Sequence, residues 1–414
     1  MSTRPLTDVT VVNTTSSWFD DVNSTTDAVI PPEGCMVVAF SVFSPWSNPE
    51  DLVSFKTQQN FNKFVNVYLL TLLVLISVPT NILNMIVFWK HGIKERINLC
   101  LFCLAFADFV TVFGHFEWNL DGLQSEVSGS TYKLVVMKFN VNNMVHSLAG
   151  FIYISGFMST LIAFERCLCI LWPLRAQRII QTRTTAVIIF IGHVLIFAGH
   201  YLIATRWEVV CMFDPLIMQT TDAFFSSEFY LNNKSLVDLF DGIIFGILLP
   251  GIYVAAIIVS TVVTVYKLRQ MAEWRQQSSS ANSSSGGTGS TNNASKDVTL
   301  TRMLIGTSCL FIACTTPPLI FHAFLPFVPE LSLHGKYYNT YYLLINMQQM
   351  FTYINASVNF FVYYFFGTKF RHSVQAMFCK ARLEAKMLAK KSAIDLSTNV
   401  STVSRTFTKI SDTD

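Results

Sequence analysis

Glu165 and Arg166 are an adjacent acid and base at the end of a long apolar stretch of the sequence. Charges at the edge of such a stretch are costly to bury, so their presence there indicates a function. Pro173 follows shortly after the arginine. Taken alone, the two charges are either functional or a purely structural charge pair.

Asp108 is a second ionisable residue in an apolar setting, in the middle of Leu-Ala-Phe-Ala-Asp-Phe. A carboxylate in hydrocarbon needs a partner or an ion. Asn81 is also surrounded by apolar residues, where its amide can simply bond a backbone carbonyl. His193 and His200 share another stretch, but no carboxylate or cysteine cluster accompanies them at metal-ligand spacing. We therefore expect no enzyme.

The composition indicates a membrane protein. Hydrophobic residues make up 51% of the chain and charged residues 13%, and the mean hydropathy is +0.43. The formal net charge of +3 is too small to imply a nucleic-acid partner. The cysteines lie mostly within apolar stretches and do not form a secreted disulfide framework.

Several stretches are long and apolar enough to cross a bilayer as helices, which takes about 20 residues. Their limits are 65–89, 97–119, 143–171, 184–205, 237–266, 298–326 and 338–366. They predict an all-α membrane protein, a seven-transmembrane helix bundle.

The distribution of lysine and arginine predicts the orientation. Most of those near the helix ends fall on one side, which is then the inner side, so the N-terminus is expected outside. Glycosylation sequons at Asn13, Asn23 and Asn233 then lie outside. This arrangement predicts a multi-pass protein of the plasma membrane.

The chain divides into an extracellular N-terminal segment (1–62), the helix bundle (63–378) and a cytoplasmic tail (379–414). The third inner loop (267–297) contains a Ser/Gly/Asn-rich run that cannot bury a core, which predicts a flexible segment. That run is either a plain linker or a set of kinase acceptor sites.

Several motifs occur in a fixed order along these stretches. They are Asn81, Leu104–Asp108, Glu165-Arg166 with Pro173-Leu174, Pro250, Phe311 with Cys314 and Pro317, and Asn359 with Tyr363. Over residues 65–379 the chain resembles the class A (rhodopsin-like) G-protein-coupled receptors. The resemblance implies that an extracellular small molecule or peptide binds and a heterotrimeric G protein is activated. Kinases and arrestin are further implied partners. A seven-helix ligand-gated channel or transporter is the alternative.

The resemblance implies that Glu165 and Arg166 form a latch that opens to free the arginine for the G protein. Asp297, directly before the sixth stretch, has the position of a second acidic partner, and Tyr363 belongs to the same coupling machinery. Ile258 replaces a tyrosine that many relatives use to stabilise the released arginine. The open state is therefore expected to be held differently.

The resemblance also implies a polar cavity in the middle of the bundle. It would be lined by Asn81, Asp108, Ser155, Asn355 and Asn359. One carboxylate with neutral oxygens suits a sodium ion, the one cofactor expected. A water-filled hydrogen-bond network is the alternative, since Ala356 replaces a serine and removes one oxygen.

The usual disulfide of the resembled family is not possible in this chain. Val141 occupies the expected cysteine position of the third stretch, so Cys211 lacks its usual partner. The other cysteine that the topology places outside is Cys35, which predicts a Cys35–Cys211 disulfide. Free thiols or an intermolecular bond are the alternatives.

A basic segment follows the seventh stretch. Phe370, Val374, Met377 and Phe378 form an apolar stripe at helical spacing, which predicts a short amphipathic eighth helix on the inner leaflet. Cys379 is either a palmitoylation site or an ordinary free thiol.

The ligand pocket is expected to open outward between the helices. Candidate lining residues are His115, Trp118, Asn119, Tyr153, His322, Gln349 and Tyr353. Leu148 stands where amine receptors carry an aspartate, which disfavours a biogenic amine. Residues 79–85, 94–102 and 164–170 are similar to gastropod chemosensory receptors, close to invertebrate FMRFamide-type neuropeptide receptors.

Overall fold

The structure is a computed structural model. It describes residues 35–37, 48–128, 148–172, 181–214, 219–281, 291–332 and 335–379. The sequons at Asn13 and Asn23 and the tail after Cys379 lie outside these ranges.

Helices dominate the part of the chain that the structure describes. Their bounds are α1 Phe55–Gly92, α2 Arg96–Ser128, α3 Gly150–Leu171, α4 Thr182–Ala204, α5 Lys234–Asp238 continued by Leu239–Leu248 and Leu249–Ala281, α6 Thr291–Phe324, α7 Tyr338–Phe366 and α8 368–379. Within the described ranges, the first six of these contain segments long and apolar enough to cross a membrane.

The seventh helix matches the predicted stretch 338–366 but is more polar than the others. Its asparagines point inward: Asn339, Asn346 and Asn359 are buried. Polar groups in a membrane helix are tolerated where neighbouring helices cover them. The polarity of α7 is therefore consistent with a helix enclosed by the bundle.

Four of the helices, α1, α2, α5 and α6, are longer than the apolar stretches that predicted them. The first begins at Phe55, with the Ser54 hydroxyl as N-cap accepting from the backbone N–H of Thr57. The second continues to Ser128. Helices α5 and α6 reach Ala281 and Thr291, well inside the range predicted to be flexible. Hydropathy marks only the part of a helix that lies in hydrocarbon, so it misses turns that continue beyond it.

A small three-stranded sheet, which the sequence did not predict, is formed by two strands between α4 and α5 and one strand from the N-terminal segment. Strands β2 (Trp207–Asp214) and β3 (Gln219–Ser226) form an antiparallel hairpin. Strand β1 (Cys35–Val37), from the N-terminal segment, pairs with β2 in parallel and sets Cys35 opposite Cys211.

Helix α1 contains a π-helical segment, Phe64–Leu69, of the kind that often marks functional sites. Asn66 in this segment is buried, and its amide donates to the Asn346 Oδ1 of α7 over 2.8 Å. The side chains of α1 and α7 are thus joined by a buried hydrogen bond in the half of the bundle nearer the sheet.

Helix α8 packs against the bundle through an apolar face. Phe370 and Val374 are each 3% exposed, and the Phe370 ring lies 5.5 Å from that of Phe88 and 5.7 Å from that of Tyr363. Phe378, farther along the helix, is 58% exposed. The predicted helical stripe is therefore divided between a face buried against α1 and α7 and an exposed end.

Candidate functional site

Glu165 and Arg166 lie in the penultimate turn of α3, and the pair is closed. Arg166 Nε donates to Glu165 Oε2 over 2.5 Å and Nη2 donates to Oε1 over 2.7 Å. Glu165 is 1% exposed. Two parallel N–H···O bonds between a guanidinium and a carboxylate form a strong, geometrically specific pair. The arginine is thus held against its own helix.

Arg96, the first residue of α2, also binds the same carboxylate. Its Nε donates to Glu165 Oε1 over 2.6 Å and its Nη2 donates to the Cys169 sulfur over 3.1 Å. In the sequence, Arg96 is one of the lysines and arginines near the helix ends that predict the inner side. Its role depends on how α2 is set against α3, which no local pattern in the sequence encodes.

The two other predicted latch residues lie elsewhere. The backbone of Asp297 is in α6, but its side chain is outside the described part of the structure. Tyr363 is 1% exposed and packs edge-on against Phe88, with ring centroids 5.4 Å apart. Tyr363 is therefore part of an aromatic cluster with α1 and α8, and does not contact Arg166 through any described hydrogen bond.

Asp108 is fully buried on α2 and is bound by two neutral donors. Ser155 Oγ of α3 donates to Oδ1 over 2.6 Å, and Asn359 Nδ2 of α7 donates to Oδ2 over 2.8 Å. The predicted meeting of Asp108, Ser155 and Asn359 is thus present. The carboxylate and the Ser155 hydroxyl are oxygen donors of the kind that suits a hard cation.

Asn81 and Asn355, the remaining members of the predicted polar cavity, have other places. Asn81 donates to the Ala356 carbonyl over 2.9 Å and to Ser77 Oγ over 3.0 Å. Asn81 thus links α1 to the backbone of α7 through a bond to a backbone carbonyl, which is the role expected of a lone asparagine among apolar residues. Asn355 lies in the wall of a separate cavity.

This cavity has a volume of about 100 Å³ and lies between α3, α5, α6 and α7. Two of the predicted ligand residues, Tyr153 and His322, line it. His322 shares a 2.9 Å hydrogen bond between Nε2 and the Oε1 of Gln348, another lining residue that the sequence analysis missed in favour of Gln349. The arrangement can offer hydrogen bonds and aromatic surface to a small group.

The other predicted ligand residues do not line this cavity. His115 packs edge-on against Tyr353, with ring centroids 5.3 Å apart, where α2 meets α7. Gln349, also on α7, has a buried Oε1 without a hydrogen-bond partner. The side chains of Trp118 and Asn119 are outside the described part of the structure.

In the wall of the cavity, Gly156 of α3 allows a close approach by α5. A Cβ at Gly156 would lie 2.8 Å from Tyr253 Cδ2 and 3.4 Å from Phe311 Cζ. Both aromatic residues line the cavity and are buried. The missing side chain therefore lets the Tyr253 ring sit between α3 and α6.

An ion-pair cluster lies beside the sheet, at the start of α5. Arg206 pairs with Asp241 and, over 2.5 Å, with Asp238, and its guanidinium lies 4.7 Å from the Tyr230 ring centroid. Burial lowers the pKa of Arg206, but its hydrogen bond to Tyr230 and the charges of Asp241 and Asp238 outweigh burial and raise that pKa overall. Two carboxylates against one guanidinium leave this end of the bundle locally acidic.

The N-terminal segment is attached to the start of α7. Asp51 accepts from the backbone N–H of Asn339 over 2.6 Å and from the Thr340 hydroxyl over 2.6 Å. Glu50 pairs with Lys336 over 2.5 Å at the surface, and the hydrogen bond and charge of Lys336 lower the pKa of the Glu50 carboxyl. A carboxylate at a helix N-terminus is favourable for both capping and the helix dipole.

An acid–arginine pair, a buried carboxylate between three helices and a cavity among four thus lie within one helical bundle whose described helices include segments that can span a membrane. The family profile described as 7 transmembrane receptor (rhodopsin family) matches residues 80–363. The chain belongs to this rhodopsin-like receptor family, and it is a multi-pass protein of the plasma membrane. The predictions of a class A receptor and a seven-helix bundle are confirmed. A comparison with curated proteins finds no match.

Proposed function

We propose that this G-protein-coupled receptor binds an extracellular chemical cue or neuropeptide and activates a heterotrimeric G protein. The observation that carries the proposal is the closed pair of Glu165 and Arg166, with the Glu165 carboxylate almost fully buried, at one end of a bundle of the rhodopsin-like family. The family match supports a receptor and does not favour the alternative of a channel or transporter.

The proposed mechanism is a switch between two states. In the closed state, Nε and Nη2 of Arg166 both donate hydrogen bonds to the Glu165 carboxylate. Ligand binding can shift the equilibrium only if the ligand binds the open state more tightly. Opening frees Arg166 to bind the G protein. Kinases and arrestin, which act on receptors of this class, are expected to bind the same inner face.

The cavity of about 100 Å³ is the proposed ligand site. Its size fits a small molecule or one terminal group of a peptide, with the rest of a peptide lying nearer the sheet. The acidic cluster of Asp238 and Asp241 would attract a basic group there. A chemosensory or FMRFamide-type ligand remains the proposal that the short resemblances in α1, α2 and α3 support.

The orientation and the modifications are proposals of the same kind. With the N-terminus outside, the sheet and Asn233, whose sequon was predicted, face the exterior. Cys379 is exposed at the end of α8, as a palmitoyl acceptor on the inner leaflet needs to be.

The register of the sheet supports the proposed Cys35–Cys211 disulfide. The two residues are direct partners across β1 and β2. Neighbouring strands lie about 4.8 Å apart, within the range of Cα separations that disulfides span. The bond would tie the N-terminal segment to the β2–β3 hairpin.

The function is tested by screening peptides and small molecules on cells that express the receptor with cAMP and calcium reporters. A response that disappears in cells lacking the corresponding Gα subunit supports the proposal. A ligand-evoked current that persists in those cells contradicts it and indicates a channel.

A further inference from the structure

Arg96 and Arg166 share one buried carboxylate. Glu165 Oε1 accepts from Arg96 Nε and from Arg166 Nη2, while Oε2 accepts from Arg166 Nε. The side chain of Glu165 is 2% exposed, and those of Arg96 and Arg166 are 20% and 16% exposed. The carboxylate is thus buried, whereas both cations reach its edge from more open positions.

The two arginines approach from different helices. Arg166 is the neighbour of Glu165 on α3, whereas Arg96 reaches across from the start of α2. Arg96 is also fixed by Cys169, one turn after Glu165 on the same helix. A second contact on α3, which does not involve Arg166, therefore also holds Arg96 in place.

Release of Arg166 would otherwise leave Glu165 without a cation. Removing one partner of a buried ion pair is strongly unfavourable, because an uncompensated charge remains in a poorly solvated site. With Arg96 in place, Oε1 keeps a charged donor at 2.6 Å when Arg166 turns away. In the closed state, Arg96 Nε and Arg166 Nη2 both donate to this oxygen.

We propose that Arg96 is a positioning residue of the latch, which keeps Glu165 paired after Arg166 is released and so makes opening less costly. This inference rests on the proposed function, since it assumes that Arg166 leaves Glu165 in the active state. The pairing itself is independent of any ligand or G protein. It can therefore be tested separately.

The test is a double-mutant cycle on thermal unfolding of the purified full-length receptor in lipid nanodiscs. Arg166→Ala mimics the released arginine, and Arg96→Gln removes the second donor. Because each single variant leaves Glu165 one arginine, each should lower the unfolding temperature only slightly. The double variant leaves Glu165 unpaired and should lower it by clearly more than the sum of the two single shifts.

Two further backgrounds separate pairing from mere structural support. In a Glu165→Gln background there is no negative charge to compensate. The double variant should then lower the unfolding temperature only by the sum of the two single shifts. Arg96→Lys, combined with Arg166→Ala, should recover most of the unfolding temperature that the double variant loses, because lysine restores a positive charge next to Glu165. The matched control is Lys90→Gln, which replaces an exposed lysine near the end of α1. Combined with Arg166→Ala, it should lower the unfolding temperature only additively.

Additive shifts in the cycle, or an excess loss that persists with Glu165→Gln, would overturn the inference. If the double variant does not fold, surface expression replaces the unfolding temperature, and recovery of expression by Glu165→Gln supports the pairing role. Failure of that recovery counts against it. A receptor that shows the coupling but activates no G protein would refute the proposed function while leaving the pairing intact.

Discussion

Glu165 and Asp108, the buried carboxylates among the described side chains, have different kinds of hydrogen-bond partner. Glu165 is bound by two guanidinium groups, whereas Asp108 is bound by a hydroxyl and an amide. Among the described side chains, Asp108 has no ion-pair partner. An isolated charge in low dielectric is costly, so a bound cation would stabilise the Asp108 carboxylate.

The sodium hypothesis gives a prediction at this residue. If sodium binds at Asp108, the unfolding temperature of the purified receptor should be higher in sodium chloride than in choline chloride at equal ionic strength. Sodium at ten times its dissociation constant would stabilise by about 1.4 kcal/mol. Asp108→Asn removes the charge and should abolish the difference.

The control for that prediction is Asp241→Asn, which also removes a carboxylate but one already paired with Arg206. It should retain the sodium effect. An equal sodium effect in the wild-type receptor and in Asp108→Asn would show that the ion acts elsewhere, and the buried network would then be a water-filled one.

At the scale of helices, the contact of α3 with α5 depends on one residue without a side chain. Gly156 leaves room for the Tyr253 ring, which in turn packs toward Phe311 of α6. The glycine contact is a place where a shift of α5 could reach α6.

Gly156→Ala tests how tightly this contact is packed. The new Cβ would lie 2.8 Å from Tyr253, so the ring must move, and we expect destabilisation of about 1–3 kcal/mol. Gly251→Ala on α5 is the control, because the Cβ that it adds would lie 3.9 Å from the nearest atom, Leu319 Cδ1. Thermal unfolding measures both, and equal stability of the two variants would disprove the tight packing.

The helices were largely predictable from the sequence, and their ends were not. Apolar stretches of spanning length identified all the long helices because burial in hydrocarbon demands them. The contact of Asp108 with Ser155 and Asn359 was predictable through family resemblance. Arg96 was missed because its contact depends on the packing of α2 against α3, and β1 because a three-residue strand pairing carries little local signal.

At the scale of the whole molecule, the N-terminal segment is joined to the bundle at two separate places. Strand β1 pairs with β2, and Asp51 caps the start of α7. The segment thus connects the loop after α4 with the helix that carries Asn359. If the ligand enters from this side, it must pass beside these connections.

The proposed disulfide is tested by peptide mapping under non-reducing conditions, which should find Cys35 linked to Cys211. Cys35→Ser should lower stability by about 2–4 kcal/mol, because the open chain gains freedom on unfolding. Cys379→Ser, at the exposed end of α8, is the control and should leave stability unchanged. Finding either Cys35 or Cys211 as a free thiol would refute the bond.

The central claim is that Glu165 and Arg166 form the switch through which this receptor reaches its G protein. The most direct test is agonist-stimulated nucleotide exchange by Arg166→Ala, measured at matched surface expression once the screen has provided an agonist. We predict loss of exchange with ligand binding retained, while Lys90→Ala responds like the wild type. Full exchange in Arg166→Ala would contradict the account.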